Sequence, residues 1–228
     1  MQSLILSAGY GKRLLPLTSK TPKCLIKIKN KPMLGFWIKK LETIGIKKKY
    51  INTHYLSNRV SGYVNRYYKN HKIKILYEEN LLGTAGTIIK NINYFKGQDL
   101  IIIHCDNYCL DNLIKLIQFH KSRPKECLMT MLTFKSQNFR NVGIIKHNNK
   151  NIITKFYEKK NIRYGNLANG GIYIISPELI EIINKKFFFA KDFTKDIIPK
   201  ILGKIYMYQT KKYFVDIGFP NVVKKLND

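Results

Sequence analysis

The sequence predicts an α/β protein with a Rossmann-like, doubly wound, mostly parallel sheet that carries helices on both faces. Strand-like apolar runs alternate with helical patterns from residue 2 to residue 134, as in a parallel sheet built from βαβ units. Unusual residues follow three of these strands, at the edge where such sheets bind ligands. After residue 134 shorter strands around polar turns predict a small β elaboration.

In the first half of the chain, hydrophobic periodicity together with glycine and proline signals predicts each element in turn. Between Pro32 and Gly45, for example, Leu34, Trp37 and Leu41 share one helical face. The predicted elements are a strand at 2–7, a glycine-rich loop, that helix, a strand at 48–54, a helix at 57–69, a strand at 72–78, a loop running into a helix at 83–92, a strand at 99–106, a helix at 111–121 and a strand at 127–134.

The second half predicts two short strands around an asparagine-rich turn within 142–160, and a strand at 170–176. A helix begins at Pro177, and residues 203–218 predict a hairpin. We find no linker and no internal repeat. We therefore expect one domain over 1–228, in which a half at about 1–134 carries a half at about 135–228.

Composition bounds the class of protein. Of the 228 residues 45% are hydrophobic, which argues against disorder. No apolar run approaches the ~20 residues of a membrane span, and the run at 4–6 is too short for a signal peptide. The four cysteines form no dense framework, so we expect reduced thiols and a cytoplasmic protein.

The charge balance is strongly basic. Lysine and arginine number 41 against 14 acidic residues, for a formal charge of +27. Such a balance attracts nucleic acid, anionic lipid or phosphorylated small molecules. The alternative, which we favour, is a compositional bias towards lysine, asparagine and isoleucine. The lysines are spread along the chain, which weakens a nucleic-acid interpretation. Tyr63, Tyr67 and Tyr68 near Arg66 are the only candidate stacking platform, and they also fit an inward-facing helix side.

Glycines and cations follow the first strand directly. In "SAGYGKR" the glycines let the backbone approach a phosphate, and Arg13 with Lys23 would neutralise that phosphate. The alternative is a tight turn with solvated cations. The segment is not a dinucleotide fingerprint, because Leu14 stands where the third glycine belongs, and no P-loop Gly-Lys-Ser/Thr follows.

The longer stretch at 6–34, "LSAGYGKRLLPLTSKTPKCLIKIKNKPML", resembles the N-terminal signature of the sugar-1-phosphate nucleotidyltransferases. The resemblance continues through "LLGTAGT", "IIIHCDN", "FYEKK", "NLANGGIYIIS" and "FVDIGFP" over essentially the whole chain. Within that family the Leu-Gly-Thr-Ala-Gly loop at 82–86 most resembles guanylyltransferases acting on mannose or a manno-configured heptose phosphate. The positions that fit the spacing of the signature are Gly9, Gly11, Arg13, Pro16, Thr18, Pro22, Lys23 and Pro32.

The resemblance implies that a sugar 1-phosphate and a nucleoside triphosphate react to give a nucleotide-sugar and pyrophosphate, for surface polysaccharide precursors. GTP and a manno-configured hexose or heptose are favoured. The alternatives are cytidylyl or uridylyl transfer to another sugar or small-alcohol phosphate. From other classes, a basic nucleic-acid-binding protein and an inactive NTP-binding subunit stay open. The family implies Mg²⁺, no nucleic acid and a possible homodimer.

The resemblance also implies site residues. Arg13 and Lys23 are the catalytic cations, which hold the triphosphate and the sugar phosphate. Lys12 stands where the family usually has threonine. The implied nucleotide-binding residues are Leu6, Ala8, Gly9, Gly11, Lys12, Glu78, Gly83, Thr84 and Asp106. The implied sugar-phosphate-binding residues are Asn107, Glu158, Lys159, Asn169 and Gly170.

Two carboxylates match the metal ligands of the family, Asp106 after the strongest predicted strand and Asp216 in "VDIG". Two carboxylates with phosphate oxygens and water suit Mg²⁺. The alternative for Asp106 is a helix cap. Zinc on His104, Cys105 and Cys109 is disfavoured because no Cys-x-x-Cys pair is present.

Glu78 stands where relatives often carry a base-contacting glutamine. A carboxylate only accepts hydrogen bonds, and guanine offers two adjacent N–H donors, so we expect GTP first and CTP second. The alternative is that Glu78 and Glu79 are surface glutamates before a helix.

Overall fold

The computed structural model describes residues 1–160 and 164–228. Its strands are β1 (Gln2–Leu6), β2 (Lys27–Ile28), β3 (Lys31–Pro32), β4 (Lys49–Thr53), β5 (Ile73–Tyr77), β6 (Leu100–His104), β7 (Asn107–Cys109), β8 (Met129–Lys135), β9 (Gly143–His147), β10 (Ile153–Glu158), β11 (Leu167–Ile175), β12 (Ile205–Gln209) and β13 (Phe214–Asp216). Its α-helices are α1 (Met33–Thr43), α2 (Ser57–Tyr68), α3 (Gly83–Lys90), α4 (Ile92–Phe95), α5 (Leu113–Lys121), α6 (Pro177–Lys186) and α7 (Pro220–Asn227).

The chain forms two compact units, each assembled from separate segments. The first comprises Met1–Leu81, Ile103–Cys109 and Val215–Asp228, and the second comprises Leu82–Ile102 and Leu110–Phe214. The division of one domain into halves at about 1–134 and 135–228 stays a prediction.

The first unit contains the parallel strands β1, β4 and β5 in the order β1-β4-β5. Ser3 pairs with Lys49 in the β1–β4 register, and Ile51 pairs with Ile75 in the β4–β5 register. Strand β7 pairs with β13 in a separate two-stranded sheet. The predicted face of α1 is confirmed, since Leu34, Trp37, Ile38 and Leu41 are all fully buried.

The second unit contains the strands β10, β9 and β11 in that order, and β8 pairs with β11. Strands β9 and β10 are antiparallel, which confirms the predicted pair around the asparagine-rich turn. Strand β8 is antiparallel to β11 and parallel to β12. The parallel alternation therefore ends before β8, although the prediction of an α/β fold with a mostly parallel central sheet is confirmed.

The predicted hairpin at 203–218 is wrong. Strand β12 pairs in parallel with β8, and Ile205 and Met207 of β12 are buried. Strand β13 pairs with β7 instead. Local alternation predicts both strands, but the choice of partner depends on burial against distant strands.

Within the ranges that the structure describes, no helix combines the length and the apolar character needed to cross a membrane.

Candidate active site

The loop after β1 is shaped by two glycines with different surroundings. Gly11 has φ 67°, in the left-handed region that favours glycine, and a Cβ there would lie 2.8 Å from Thr18 Cγ2. The Thr18 hydroxyl donates to the Gly11 carbonyl at 3.0 Å. A Cβ on Gly9 would meet nothing within 4 Å. The loop is therefore packed below Gly11 and open at Gly9, where a phosphate can approach the backbone.

A buried network joins this loop to β4 and to the end of β5. The Ser7 amide donates to Asn52 Oδ1 at 2.6 Å, and the Asn52 amide group donates to Glu78 Oε1 at 2.9 Å. Glu78 is 1% exposed and Glu79 is exposed. The interpretation of Glu78 as a surface glutamate is therefore wrong, because its carboxylate accepts from Asn52 beneath the loop.

A second set of contacts holds the rim of the loop after β1. Tyr10 Oη lies 2.8 Å from His54 Nε2, and His54 Nδ1 lies 2.9 Å from the Glu78 carbonyl. The Tyr55 amide donates to the Ala8 carbonyl at 3.5 Å. Exposed Lys12 places its ammonium 5.6 Å from the Tyr10 ring centroid. These aromatic partners had no signal in the sequence.

The end of β1 is tied to the strand that precedes Asp106. The Cys105 amide donates to the Leu6 carbonyl at 3.0 Å, and the Ile217 amide donates to the Asp106 carbonyl at 2.9 Å. Backbone bonds thus fix the segments that carry both predicted carboxylates.

The structure brings the four predicted charged residues together in the first unit. Short 3₁₀ turns, Lys12–Leu14 and Lys23–Leu25, carry the two cations. The Lys23 ammonium donates to Asp106 Oδ2 and lies 3.7 Å from Asp216 Oδ1. Arg13 Nη2 lies 3.7 Å from Asp216 Oδ2.

Asp106 is not a helix cap. It precedes β7, and the cap of α5 is Asn112, whose side chain accepts from the Ile114 amide at 2.9 Å. The predicted alternative for Asp106 is therefore wrong, and its carboxylate faces Lys23 instead.

The two carboxylates have different proton affinities. Burial raises the pKa of Asp106, but the Lys23 ammonium and His104 lower it more, so the net pKa is below its usual range. Burial and the Asp106 charge raise the pKa of Asp216. Asp106 therefore holds negative charge more firmly, and added positive charge between the two would lower the pKa of both.

The donor set fits Mg²⁺ supplied together with substrate. Across the described residues no group of three or more His, Cys, Asp and Glu side chains could hold a metal. Mg²⁺ needs only one or two carboxylates, because phosphates and water complete its shell. Burial raises the pKa of Cys105 well above its usual range, and Cys109 is also a buried thiol.

Asn107 lies within β7 and is 7% exposed. Its carbonyl accepts from the Trp37 indole at 3.0 Å. The backbone at Asn107 is thus anchored to α1 directly after Asp106.

In the second unit, two predicted nucleotide-binding residues lie against the segment 191–193. Gly83 has φ +77°, and a Cβ there would lie 2.4 Å from the Lys191 carbonyl oxygen. Thr84 Oγ1 accepts from the Phe193 amide at 2.8 Å. Glycine at 83 is thus required by a close backbone neighbour, whatever else approaches it.

The predicted sugar-phosphate residues of the second unit are likewise structured. The Asn169 amide group donates to Tyr173 Oη at 2.7 Å. A Cβ on Gly170 would lie 2.7 Å from Leu132 Cδ2. Lys159 Nζ lies 3.4 Å from Glu158 Oε1, and the Glu158 side chain is 18% exposed.

The family follows from a comparison of the whole chain. The model of the family described as nucleotidyl transferase matches residues 2–227. The chain belongs to the nucleotidyl transferase family. The predicted resemblance is thereby confirmed.

Relatives of this nucleotidyl transferase include two guanylyltransferases. The D-glycero-alpha-D-manno-heptose 1-phosphate guanylyltransferase of Aneurinibacillus thermoaerophilus is 31% identical, with 99% of this chain and 96% of that protein covered. The catalytic subunit beta of the mannose-1-phosphate guanylyltransferase of Dictyostelium discoideum is 30% identical. The alignment covers 96% of this chain and spans 62% of that longer protein.

A solved structure is similar throughout. The crystal structure of HddC from Yersinia pseudotuberculosis complexed with GMP-PN has a TM-score of 0.82 and 26% identity, with 99% of this chain and 97% of that chain covered.

Sequence reasoning also missed Gly218 at the candidate site. The Gly218 amide donates to Asp216 Oδ1 at 2.7 Å. A Cβ on Gly218 would lie 2.7 Å from Arg13 Nη2 and 2.9 Å from Asp216 Oδ1. The Arg13 guanidinium also lies over the Phe219 ring, 4.4 Å from its centroid. The glycine that follows the aspartate by two positions was the available signal.

Proposed function

We propose that the protein transfers a nucleotidyl group from a nucleoside triphosphate to a sugar 1-phosphate and releases pyrophosphate. The observation that carries the proposal is the cluster of Lys23, Arg13, Asp106 and Asp216 beside the open Gly9 loop. Such a cluster suits two phosphorylated substrates that repel each other, because it supplies both fixed cations and carboxylates.

The reaction is an in-line displacement at the α-phosphorus, in which an oxygen of the sugar phosphate attacks and pyrophosphate leaves. The protein has little covalent chemistry to perform, so its task is to position the reactants and stabilise charge. Lys23, whose side chain is 14% exposed, provides a fixed charge near the α-phosphate. The Arg13 side chain is 53% exposed, so it can follow the triphosphate and the departing pyrophosphate.

We assign Asp106 and Asp216 to hold Mg²⁺ when substrate binds. A bound Mg²⁺ ion neutralises phosphate charge and orients the phosphate oxygens. The Lys23 ammonium lies against both carboxylates, which keeps the pair together.

For the base we favour GTP. Support comes from the two guanylyltransferases among the relatives and from the fold shared with a complex of GMP-PN. The Glu78 side chain is 1% exposed and its Oε1 accepts from Asn52, so the preference is argued from the relatives and not from Glu78.

For the acceptor we favour a manno-configured hexose or heptose 1-phosphate, for surface polysaccharide precursors. The relatives supply that preference. Glu158 and Asn169 are the proposed sugar contacts and Lys159 the proposed phosphate contact, with Gly170 providing close backbone approach. The four cysteines are buried free thiols, which supports a reducing, cytoplasmic setting.

A substrate matrix tests the proposal. Pyrophosphate release is measured for the four NTPs and dTTP against mannose, heptose, glucose and amino-sugar 1-phosphates and phosphocholine, with Mg²⁺. We expect the highest rate with GTP and a manno-configured acceptor. A preference for CTP or UTP would indicate that the protein belongs to another branch of the family. No release with any pair, together with tight and salt-sensitive binding of DNA or RNA, would favour the nucleic-acid class instead.

A further inference from the structure

Two neighbouring phenylalanines are exposed on the second unit. Phe189 is 84% exposed and Phe188 is 56% exposed, and their ring centroids lie 4.2 Å apart. The phenylalanine side chain has no polar atom to place in water. The exposed pair therefore forms an apolar tip, and moving this tip from water into an apolar environment lowers the free energy.

The tip is held by a rigid turn. The Phe187 amide donates to the Ile183 carbonyl at the end of α6, and the Ala190 amide donates to the Phe187 carbonyl at 2.9 Å. On the other side, the Lys191 carbonyl accepts from the Ala85 amide at 2.9 Å. Both ends of the segment are thus tied to helices, and the aromatic tip is presented without an ordering step.

Four lysines line a depression beside the apolar tip. A depression of about 480 Å³ is lined by Phe187, Phe189, Ala190, Asp196 and four lysines, Lys186, Lys191, Lys195 and Lys200. All four lysines are exposed. Among residues 1–160 and 164–228, none of these four ammonium groups forms an ion pair.

The nearby carboxylates are already engaged by backbone donors. Asp196 Oδ2 accepts from the amides of Lys191 and Asp192, both at 2.8 Å. Asp192 Oδ1 accepts from the Thr194 amide at 2.8 Å. These carboxylates serve the local backbone, and neither forms an ion pair with any of the four lysines.

We propose that this tip, Phe188–Phe189 with Lys186, Lys191, Lys195 and Lys200, docks the protein reversibly on an anionic lipid bilayer. Apolar rings enter the interface while lysines contact acidic headgroups, and the two signals together give binding that neither gives alone. A second copy of the protein is disfavoured as the partner, because a symmetric contact would bring two such groups of four lysines face to face. Nucleic acid is disfavoured because each phenyl ring partly covers the other, which leaves less surface for stacked bases.

Vesicle co-sedimentation of the full chain tests the proposal. We expect binding to vesicles of phosphatidylcholine with phosphatidylglycerol and none to phosphatidylcholine alone. The Phe188→Ser/Phe189→Ser double variant should bind the anionic vesicles at least about tenfold more weakly. Raising NaCl from about 0.1 M to about 1 M should abolish binding by the wild type, since the Debye length falls from about 10 Å to about 3 Å.

Matched variants separate the tip from general charge and hydrophobicity. Tyr67→Ser/Tyr77→Ser removes two aromatic rings that are 59% and 60% exposed elsewhere, and it should bind like the wild type. Lys186→Gln/Lys195→Gln should weaken binding more than Lys125→Gln/Lys146→Gln, which removes the same charge from other exposed positions.

Three results would overturn the proposal. The first is wild-type affinity in the phenylalanine double variant, which would assign binding to net charge alone. The second is a wild-type dimer that becomes monomeric in that variant without any vesicle binding, which would make the tip a contact between copies. The third is tip-dependent binding of a single-stranded oligonucleotide in place of vesicles.

Discussion

Adding one methyl group at Gly218 tests how tightly the candidate site positions Asp216. In Gly218→Ala the new Cβ would lie 2.9 Å and 3.1 Å from the two Asp216 carboxylate oxygens. The 2.7 Å approach to Arg13 Nη2 is relieved easily, because the Arg13 side chain is 53% exposed. The carboxylate is fixed by the Gly218 amide at 2.7 Å, so it must move by a few tenths of an ångström.

The expected effect is a loss of activity with little loss of stability. Misplacing a reacting group by about 1 Å can cost about 100-fold, so a smaller shift of one proposed metal ligand should lower kcat/KM by about 10- to 100-fold. Gly218 needs no left-handed φ, so alanine fits the backbone. Steady-state pyrophosphate release at varied Mg²⁺, with thermal unfolding of the same sample, measures both quantities.

Gly62→Ala is the matched control. A Cβ at Gly62 meets nothing within 4 Å, and the residue lies inside α2. Activity should be unchanged and stability should rise by about 0.5–1 kcal/mol. If Gly218→Ala keeps more than half of the wild-type kcat/KM at limiting Mg²⁺, the position of Asp216 does not matter for turnover and the assignment fails.

Three further variants test separate parts of the site and the fold. Asp106→Asn should lower turnover by orders of magnitude at limiting Mg²⁺ with an unchanged circular dichroism spectrum, because it removes a charged ligand; near-normal rates would exclude Asp106 as a ligand. Glu78→Gln should lower the GTP-to-UTP ratio of kcat/KM by about tenfold if the carboxylate accepts from guanine; an unchanged ratio would leave it a role only in the network beneath the loop. Burial raises the pKa of Glu42, but His71 and Lys49 lower it more, so the net pKa lies below 4.5. This contribution to stability is present above pH 4.5 and is lost as the pH falls through the folded pKa. Since Lys49 is 3% exposed and Glu42 is partly solvated, Glu42→Gln should cost about 1–2 kcal/mol in urea unfolding at pH 7 and less at pH 4; an equal cost at both would refute the ion pair.

Much of the first unit could be predicted because its signals are local. The spacing of Leu34, Trp37 and Leu41 predicts a buried face of α1, and that face is buried. Carboxylates and cations that end strands were expected to meet, because parallel strands end at one edge. Lys23 and Asp106 do meet.

The remainder depended on contacts between distant segments. The partner of β12 is β8, and no turn signal near residue 210 encodes that choice. Gly83 looked like a ligand-facing glycine, but the Lys191 carbonyl beside it leaves no room for a Cβ and so requires glycine there. The alternative of an exposed Glu78 was wrong because its carboxylate is buried and accepts from Asn52, on another strand. Charge and glycine content predict where chemistry occurs, and tertiary packing decides which side chain faces it.

The most direct test of the central claim is ³¹P NMR of one reaction, containing the wild-type protein, GTP, mannose 1-phosphate and Mg²⁺. Transfer at the α-phosphorus predicts that the γ- and β-phosphate signals of GTP and the signal of mannose 1-phosphate decline together. A nucleotide-sugar diphosphate and free pyrophosphate should appear in equal amounts. Formation of GDP and inorganic phosphate with mannose 1-phosphate unconsumed would contradict the account, because it would show hydrolysis at the γ-phosphorus and no transfer to a sugar.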